Sequence, residues 1–380
     1  MIILDKFFLK YSLKKEFHLI CNNYEKSYHK RINFLEDRMP TIAYLDTLPA
    51  QNGLDMLYSQ TKVNILKVNS FDSEEKCLSI LKKADAYQVG AARDEVPKYL
   101  QVDKKFLIKV PNLIVISSSG AGYDTIDVDA CSDAGVLVVN QTGGNAEGVA
   151  EHAVGMILSL FKRIGECDHA LRRGWNEPRV SLMGKDLLHK TVGIIGLGNT
   201  GGRVAEICKI AFNCNILAYD PYLSDDNFHK KNASKVALDT LLAESDVVSV
   251  HIPLNKETSN MLNKVSFKKM KKGSYFVTTS RGSIHNENDL YDILKEGHLA
   301  GAGLDVWEFE PPPSTHKLLE LENVIASPHT AGITKDSRDK MSEYVATQLL
   351  DLFDGKDPAR PVNPEVLDTY REKFKKILIK

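Results

Sequence analysis

The chain has 380 residues, 43% of them hydrophobic and 26% charged, the balance of a folded globular protein with enough material for two domains. A formal net charge of −1 carries no electrostatic signature of nucleic acid or of an anionic membrane, so we expect neither partner. The longest apolar run, 153–161, is too short to cross a membrane. Six cysteines show no C-x-x-C pair, which indicates a reduced, cytoplasmic protein, and no metal-binding motif occurs.

Residues 1–38 differ from the rest of the chain in being rich in Lys, Phe, Tyr and Asn. They contain no continuous apolar segment before a small-residue cleavage site, and their scattered acids are untypical of an organellar transit sequence. Met39 stands directly before Pro40 and an apolar strand. We therefore expect 1–38 to be an extension, or to result from an upstream start, outside the folded core.

Apolar runs alternate with helical segments from Thr41 onward, which predicts a parallel sheet with helices on both faces. The predicted strands are 42–45, 63–68, 84–89, 113–117 and 136–139. A long helix, 146 to about 164, follows them. It is apolar on more than one face, which indicates burial at a domain junction or a subunit interface.

The most informative motif lies in 191–204, where an apolar strand runs into glycines spaced G-x-G-x-x-G and then into a helix. Gly196 permits the tight turn, Gly198 lets the backbone approach a diphosphate, and Gly201 lets the helix pack closely on the strand. The free N–H groups at the helix N-terminus then face the phosphates. Asp220 ends the next strand, where a carboxylate accepts hydrogen bonds from ribose hydroxyls and repels a 2′-phosphate, so NAD is favoured over NADP.

The second half of the chain continues as a doubly wound sheet of six predicted strands, three on each side of its switch point. They are 192–195, 216–219, 247–251, 274–279, 300–304 and 324–327. A last helix, 335–353, is expected to return and pack on the first sheet. The predicted division is thus an extension (1–38), a discontinuous flavodoxin-like substrate domain (39–144 and 330–380) and a Rossmann-type NAD-binding domain (145–329).

Three residues follow late strands of the second series, where a doubly wound sheet presents its reactive groups. They are Arg281, Glu310 and His329. Neutral imidazole is suited to take a hydroxyl proton, and a neighbouring carboxylate raises the pKa of the imidazole so that it can also donate one. A guanidinium binds a carboxylate through paired hydrogen bonds. Each residue alone could equally be an ordinary loop residue, but their joint placement favours hydride transfer to or from a 2-hydroxy acid.

The motifs in this order resemble the D-isomer-specific 2-hydroxyacid dehydrogenase family over about 41–364. They are Gly196-Leu-Gly-Asn-Thr-Gly201 with Asp220, His251-Ile-Pro-Leu254, Ser280-Arg-Gly282, Gly303-Leu-Asp-Val-Trp-Glu-Phe-Glu-Pro311 and Ser327-Pro-His-Thr330. The resemblance implies an NAD-dependent enzyme with Arg281, Glu310 and His329 as its catalytic residues. The cofactor contacts it implies are Gly196, Gly198, Asn199, Thr200, Gly201, Asp220, His251, Pro253, Thr258, Thr279, Ser280, Arg281, Asp305 and His329, with Asp305 on the nicotinamide amide.

The resemblance also implies a substrate loop, 119–124, in which Gly120, Ala121 and Gly122 join Arg281 in binding the substrate. It implies that the domains close over the cofactor to exclude water, and that the helix beginning at 146 pairs with its twin in a homodimer. One departure is Ser283-Ile-His-Asn-Glu-Asn288, where the family usually has a valine-aspartate-glutamate sequence.

The implied function is hydride transfer between NAD(H) and a small D-2-hydroxy acid or 2-oxo acid, such as glyoxylate or hydroxypyruvate. Glu310 disfavours formate dehydrogenase, which carries glutamine there. A 3-phosphoglycerate substrate stays open, although Arg93 is the one cation that the sequence suggests near the pocket. A different class is also open, because the family includes NAD(H)-sensing corepressors that use the same fold as a binding module. Oxidation of NADH by 2-oxo acids discriminates between them.

Overall fold

The structure is a computed structural model that describes residues 38–378. The expected N-terminal extension lies outside these residues except for Arg38. The described chain builds two parallel sheets with helices on both faces, of five and seven strands. The predicted α/β class, a flavodoxin-like sheet beside a Rossmann-type sheet, is confirmed. No helix between Arg38 and Leu378 has both the length and the apolar character needed to cross a membrane.

The first sheet has the strand order β2-β1-β3-β4-β5. Its strands are β1 (Thr41–Leu45), β2 (Asn64–Val68), β3 (Ala86–Val89), β4 (Val115–Ser118) and β5 (Leu137–Val139), and its helices are α1 (Gln51–Tyr58), α2 (Glu74–Leu81), α3 (Lys104–Lys109) and α4 (Val128–Asp133). Side chains start three of these helices, because Ser73, Asp103 and Asp127 each accept a hydrogen bond from a backbone N–H of the first turn.

The C-terminal helices return to this sheet, as the sequence predicted for the first of them. They are α12 (Lys335–Phe353) and α13 (Leu367–Leu378). Leu349, Leu352 and Tyr370 are buried in one cluster with Ile42 of β1. Thr334 fixes the start of α12, since its hydroxyl accepts a hydrogen bond from the Ser337 N–H at 3.1 Å.

The second sheet has the strand order β12-β11-β10-β9-β6-β7-β8, all parallel. Its strands are β6 (Thr191–Ile195), β7 (Asn215–Tyr219), β8 (Ser234–Lys235), β9 (Val247–Val250), β10 (Tyr275–Thr278), β11 (Gly301–Leu304) and β12 (Val324–Ala326). The prediction of six strands is therefore wrong by one. The missed strand, β8, is two residues long and exposed, so it leaves no apolar pattern in the sequence.

The helices of the second half are α5 (Ala146–Phe161), α6 (Ile164–Arg172), α7 (Asn199–Phe212), α8 (Asp225–Lys230), α9 (Leu238–Glu244), α10 (Lys264–Lys269) and α11 (Glu287–Lys295). Short 3₁₀ turns occur at Lys98–Leu100, Arg179–Leu182, Gly282–Ile284, Lys317–Glu320 and Pro364–Val366. Helix α5 buries Ala153, Met156, Ile157 and Leu160 in the core of the second sheet. The apolar side chains of α5 therefore pack largely against other residues of the same chain.

Candidate active site

The glycine turn after β6 has the geometry of a diphosphate site. Gly196 has φ +90°, and a Cβ there would lie 2.6 Å from Ile252 Cγ2. A Cβ on Gly201 would lie 2.0 Å from the Gly196 carbonyl oxygen, whereas one on Gly198 would meet no atom within 4 Å. The turn is thus closed toward the protein and open at Gly198, beside the first N–H groups of α7. These residues fit a bound dinucleotide, with its phosphates at the helix N-terminus.

Asp220 stands beside this turn at the end of β7. Its Oδ2 accepts a hydrogen bond from the Leu197 N–H at 3.0 Å, and its Oδ1 accepts one from the Tyr222 N–H at 3.0 Å. The Tyr222 hydroxyl donates to Glu257 Oε2 at 2.7 Å, which brings a second carboxylate to the same end of the sheet. Sequence reasoning missed Glu257, because its loop position carries no motif. Both carboxylates oppose the extra phosphate of NADP.

The loop after β9 carries three of the predicted cofactor contacts. Burial lowers the pKa of His251 to about 4, so its ring is neutral, and Nε2 lies 2.8 Å from the Ser249 hydroxyl. The Thr258 hydroxyl donates to the Pro253 carbonyl at 2.7 Å and accepts from the Asn255 N–H at 2.8 Å. Thr258 therefore shapes the loop that presents His251 and Pro253.

His329 and Glu310 form a close pair at the opposite end of the site. Nδ1 of His329 lies 2.7 Å from Glu310 Oε2, and Glu310 Oε1 accepts a hydrogen bond from the backbone N–H of Trp307 at 3.0 Å. Burial disfavours charge on the ring, but the hydrogen bond and the charge of Glu310 outweigh burial and raise the pKa of His329. Burial likewise opposes charge on Glu310, yet the His329 and Trp307 contacts lower the pKa of that carboxyl overall. The pair therefore favours an imidazolium beside a carboxylate.

Asp305, fully buried, holds the segment that carries His329. Oδ1 accepts from the Ser327 hydroxyl at 2.6 Å and the Thr330 N–H at 2.8 Å, while Oδ2 accepts from the Ala331 N–H at 3.0 Å. The His329 N–H donates to the Asp305 carbonyl at 2.7 Å, and His329 has φ +55°. Sequence reasoning missed this positioning role. The predicted contact of Asp305 with the nicotinamide amide stays a prediction.

A second buried acid supports the turn before Glu310, and sequence reasoning missed it as well. Glu287 Oε1 accepts the Glu308 N–H at 2.7 Å, and Oε2 lies 3.0 Å from His316 Nε2. Glu287 is the first residue of α11 and lies within the segment that departs from the family pattern, 283–288. No sequence signal identifies this role, because the partners of Glu287 lie 21 and 29 residues further along the chain.

Arg281 meets the predicted substrate loop. Its Nε and Nη2 donate to Asp124 Oδ2 at 3.1 and 2.9 Å, and Nη1 donates to the Ser280 carbonyl at 2.6 Å. A Cβ on Gly122 would lie 2.0 Å from Nη2, so only glycine lets the guanidinium approach the loop this closely. Asp124 was not among the predicted site residues. It orients Arg281 and partly neutralises its charge.

Two adjoining clefts bring most of the predicted residues together. One, of about 690 Å³, is lined by Gly120, Ala121, Gly122, Thr279, Arg281, Asp305, Glu310 and His329 among others. The other, of about 660 Å³, is lined by Ala121, Gly122, Asn199, Thr200, His251, Pro253, Thr279, Ser280 and Arg281 among others. Five predicted cofactor contacts line neither cleft, and they are Gly196, Gly198, Gly201, Asp220 and Thr258. A dinucleotide groove that opens onto a histidine, a carboxylate and an arginine defines a dinucleotide-linked oxidoreductase.

Comparison with known proteins specifies the class. Residues 154–331 match the family model described as D-isomer specific 2-hydroxyacid dehydrogenase, NAD binding domain. The chain is 39% identical over 271 residues to a glyoxylate reductase of Thermofilum pendens, covering 70% of this chain and 80% of that protein. It is 39% identical over 288 residues to a D-3-phosphoglycerate dehydrogenase of Archaeoglobus fulgidus, covering 73% of this chain but only 54% of that protein. The chain thus spans about half the length of that relative.

A solved structure agrees with these matches. The crystal structure of D-lactate dehydrogenase from Aquifex aeolicus complexed with NAD and lactic acid superposes with a TM-score of 0.70 at 29% identity, covering 86% of this chain and 98% of that one. The chain belongs to the D-isomer specific 2-hydroxyacid dehydrogenase family. The predicted family, the NAD-linked oxidoreductase class and the NAD cofactor are confirmed.

Proposed function

We propose that the protein reduces a small, unphosphorylated 2-oxo acid to the D-2-hydroxy acid with NADH. The observation that carries this proposal is the 2.7 Å His329–Glu310 pair, which faces the same cleft as Arg281. Arg281 keeps one N–H on each of Nη1 and Nη2 beyond those that donate to Ser280 and Asp124, and these two would bind the substrate carboxylate. The substrate loop 119–124 encloses the rest of the small molecule.

The proton in this reaction comes from His329. Its Nδ1 is occupied by Glu310, so Nε2 is the nitrogen that donates to the substrate carbonyl oxygen. NADH, when bound, supplies the hydride to C2. The proton and the hydride together convert the 2-oxo acid into the 2-hydroxy acid and leave a neutral imidazole, which solvent reprotonates. Glu310 stabilises the imidazolium before transfer.

The charges around the substrate cleft support an unphosphorylated substrate. Besides the residues already described, the cleft wall includes the acids Asp46, Asp94 and Glu95 and the cation Arg338. Arg93, the cation that the sequence suggested for a phosphate, donates its Nε to the Asp124 carbonyl of the substrate loop at 2.7 Å. Three carboxylates still outnumber Arg338 and Arg93, which disfavours a phosphate group on the tail of the substrate. Small acids such as glyoxylate and hydroxypyruvate therefore fit better than 3-phosphoglycerate or its 2-oxo form.

The experiment is a screen of NADH oxidation with glyoxylate, hydroxypyruvate, 2-ketoisocaproate and 3-phosphohydroxypyruvate. We expect kcat/KM to be highest for one of the unphosphorylated acids. His329→Ala should reduce kcat at least a hundredfold while NADH affinity stays nearly unchanged. No turnover of any acid despite tight NADH binding would favour a binding module, and an unchanged kcat for His329→Ala would remove the histidine from the mechanism.

A homodimer in the cytoplasm is part of the proposal. The exposed apolar residues of 164–188 support a second copy of the chain as a partner, and they are Ile164, Leu171, Val180, Met183 and Leu188. The free, buried thiols of Cys77, Cys131, Cys208 and Cys214 support a reducing compartment. Light scattering after size exclusion tests the dimer, and Leu171→Asp should shift it toward monomer.

A further inference from the structure

Arg360 belongs to the segment that leads into α13, yet it faces the dinucleotide groove of the other half of the molecule. It lines the 660 Å³ cleft together with Asn199 and Thr200, the first residues of α7. Its Nε donates to the Thr142 carbonyl at 3.0 Å. The next residue, Gly143, approaches α7 closely, since a Cβ there would lie 3.4 Å from Asn199 Nδ2. The guanidinium therefore lies near the helix N-terminus at which the phosphates are expected.

Packing holds the Arg360 side chain in this position. The guanidinium carbon lies 3.6 Å from the centroid of the Tyr344 ring, a stacked cation–π arrangement. The backbone N–H of Arg360 donates to Gln348 Oε1 at 2.8 Å. The side-chain Nε2 of the buried Gln348 in turn donates to the Asn140 carbonyl at 3.1 Å. An arginine ordered in this way loses little conformational entropy when it binds an anion.

The charge of Arg360 has no partner within the described part of the chain. Among residues 38–378, neither Nη1 nor Nη2 donates a hydrogen bond, and no carboxylate lies within ion-pair distance of the guanidinium. By contrast, the neighbouring Arg371 pairs with Asp357 and Asp368. A fixed guanidinium with two free donor groups, opposite a helix N-terminus, has the chemistry of a phosphate ligand.

We propose that Arg360 binds the diphosphate of NAD(H) from the side opposite α7. Because Arg360 packs with the first sheet and α7 with the second, the diphosphate would join the two halves before any substrate enters. This inference rests on NAD binding by the family and is independent of which 2-oxo acid is reduced.

The test is equilibrium binding of NADH, monitored through the quenching of tryptophan fluorescence. Trp307 lines the adjoining cleft and is the tryptophan expected to respond. Arg360→Gln should raise the Kd for NADH about tenfold, the size expected for one lost charge-assisted contact, and should make the salt dependence of Kd shallower. The Kd of Arg360→Lys for NADH should lie between those of the wild type and Arg360→Gln, because lysine keeps the positive charge but lacks the paired donors of the guanidinium. Arg371→Gln, a change of the same type on the outer surface, should bind NADH as the wild type does.

Binding of ADP and of adenosine, measured by calorimetry, identifies the part of the cofactor involved. Arg360→Gln should weaken ADP binding and leave adenosine binding unchanged. An unchanged Kd for NADH and ADP overturns the proposal, and so does an equal loss for adenosine. If Arg360→Gln does not fold, Tyr344→Leu takes its place, with a several-fold weaker binding of NADH and ADP expected and unchanged binding counting against the proposal. No 2-oxo acid is present, so failure of the proposed reaction leaves these results intact.

Discussion

The pairing of His329 with Glu310 makes a prediction about pH. Reduction needs the imidazolium, so the rate falls as pH rises through the pKa of His329, and Glu310 raises that pKa. Glu310→Gln removes the carboxylate charge and so lowers the pKa of His329. The decrease in rate with rising pH should therefore occur at lower pH. We expect kcat for 2-oxo acid reduction at pH 7.5 to drop about 10- to 100-fold. The measurement is the pH profile of kcat from pH 5.5 to 9.

Glu308→Gln is the matched control for this prediction. Glu308 is two residues away and exposed, and its backbone N–H, not its side chain, takes part in the described contacts. Its pH profile should overlay that of the wild type. A Glu310→Gln profile with the same midpoint as the wild type would show that Glu310 does not set the protonation of His329.

His285 is a buried histidine whose ring nitrogens form no hydrogen bond with any of residues 38–378. Burial lowers the pKa of His285 to about 4. The unfolded chain takes up a proton near pH 6.5, before the folded chain does, so the protein loses stability as pH falls from about 6.5 toward 4. His285→Val should raise the free energy of unfolding by about 1–3 kcal/mol at pH 7.5, and by more at pH 5.

Urea denaturation at both pH values measures this effect. His298→Val is the opposing control, because His298 Nε2 lies 3.0 Å from the Met270 carbonyl and its loss should destabilise the protein. If His285→Val were less stable than the wild type at pH 5, the ring would have a stabilising partner that the described contacts do not include.

At the scale of elements, the segment after β12 depends on one carboxylate. Asp305 accepts three hydrogen bonds from 327–331, and an amide in its place would turn an N–H toward at least one of these donors. Asp305→Asn should misplace His329 and lower kcat about a hundredfold. Asp85→Asn is the control, since Asp85 is an equally buried acid that accepts the Thr41 N–H in the first sheet. It should lower the melting temperature without lowering kcat per folded molecule.

The elements also show how far the sequence determines the site. Most strands were predicted within one or two residues, because apolar runs bounded by glycine and polar residues report burial directly. β8 was not predicted, because its two residues are exposed and form no apolar run. The residues after the strands were identified by their place in the sheet, whereas Asp124, Glu287 and Arg360 act across loops. Their partners lie far away in the sequence, so only the folded chain reveals them.

At the scale of the whole molecule, the two sheets have separate cores. The buried clusters of the first sheet draw on 42–139 and 345–374, and those of the second on 150–324, with no residue in common. The ion pair of Arg203 on α7 with Glu147 is an exposed contact within the second half, at the start of α5. The two apolar cores are therefore not continuous, which suits a cleft that closes over its ligands.

Separate cores predict separate unfolding, and the two tryptophans make this measurable. Trp175 and Trp307 both belong to the half that carries the second sheet, so tryptophan emission follows that half while far-ultraviolet circular dichroism follows both. On heating, we expect two transitions by circular dichroism and one by fluorescence.

NADH at about 100 times its Kd should stabilise the half that contains both tryptophans by about 2.7 kcal/mol and raise the temperature of its transition. If Arg360 holds the diphosphate, the other transition should shift as well in the wild type but not in Arg360→Gln. A single transition that coincides by both probes without NADH would mean that the halves unfold as one cooperative unit.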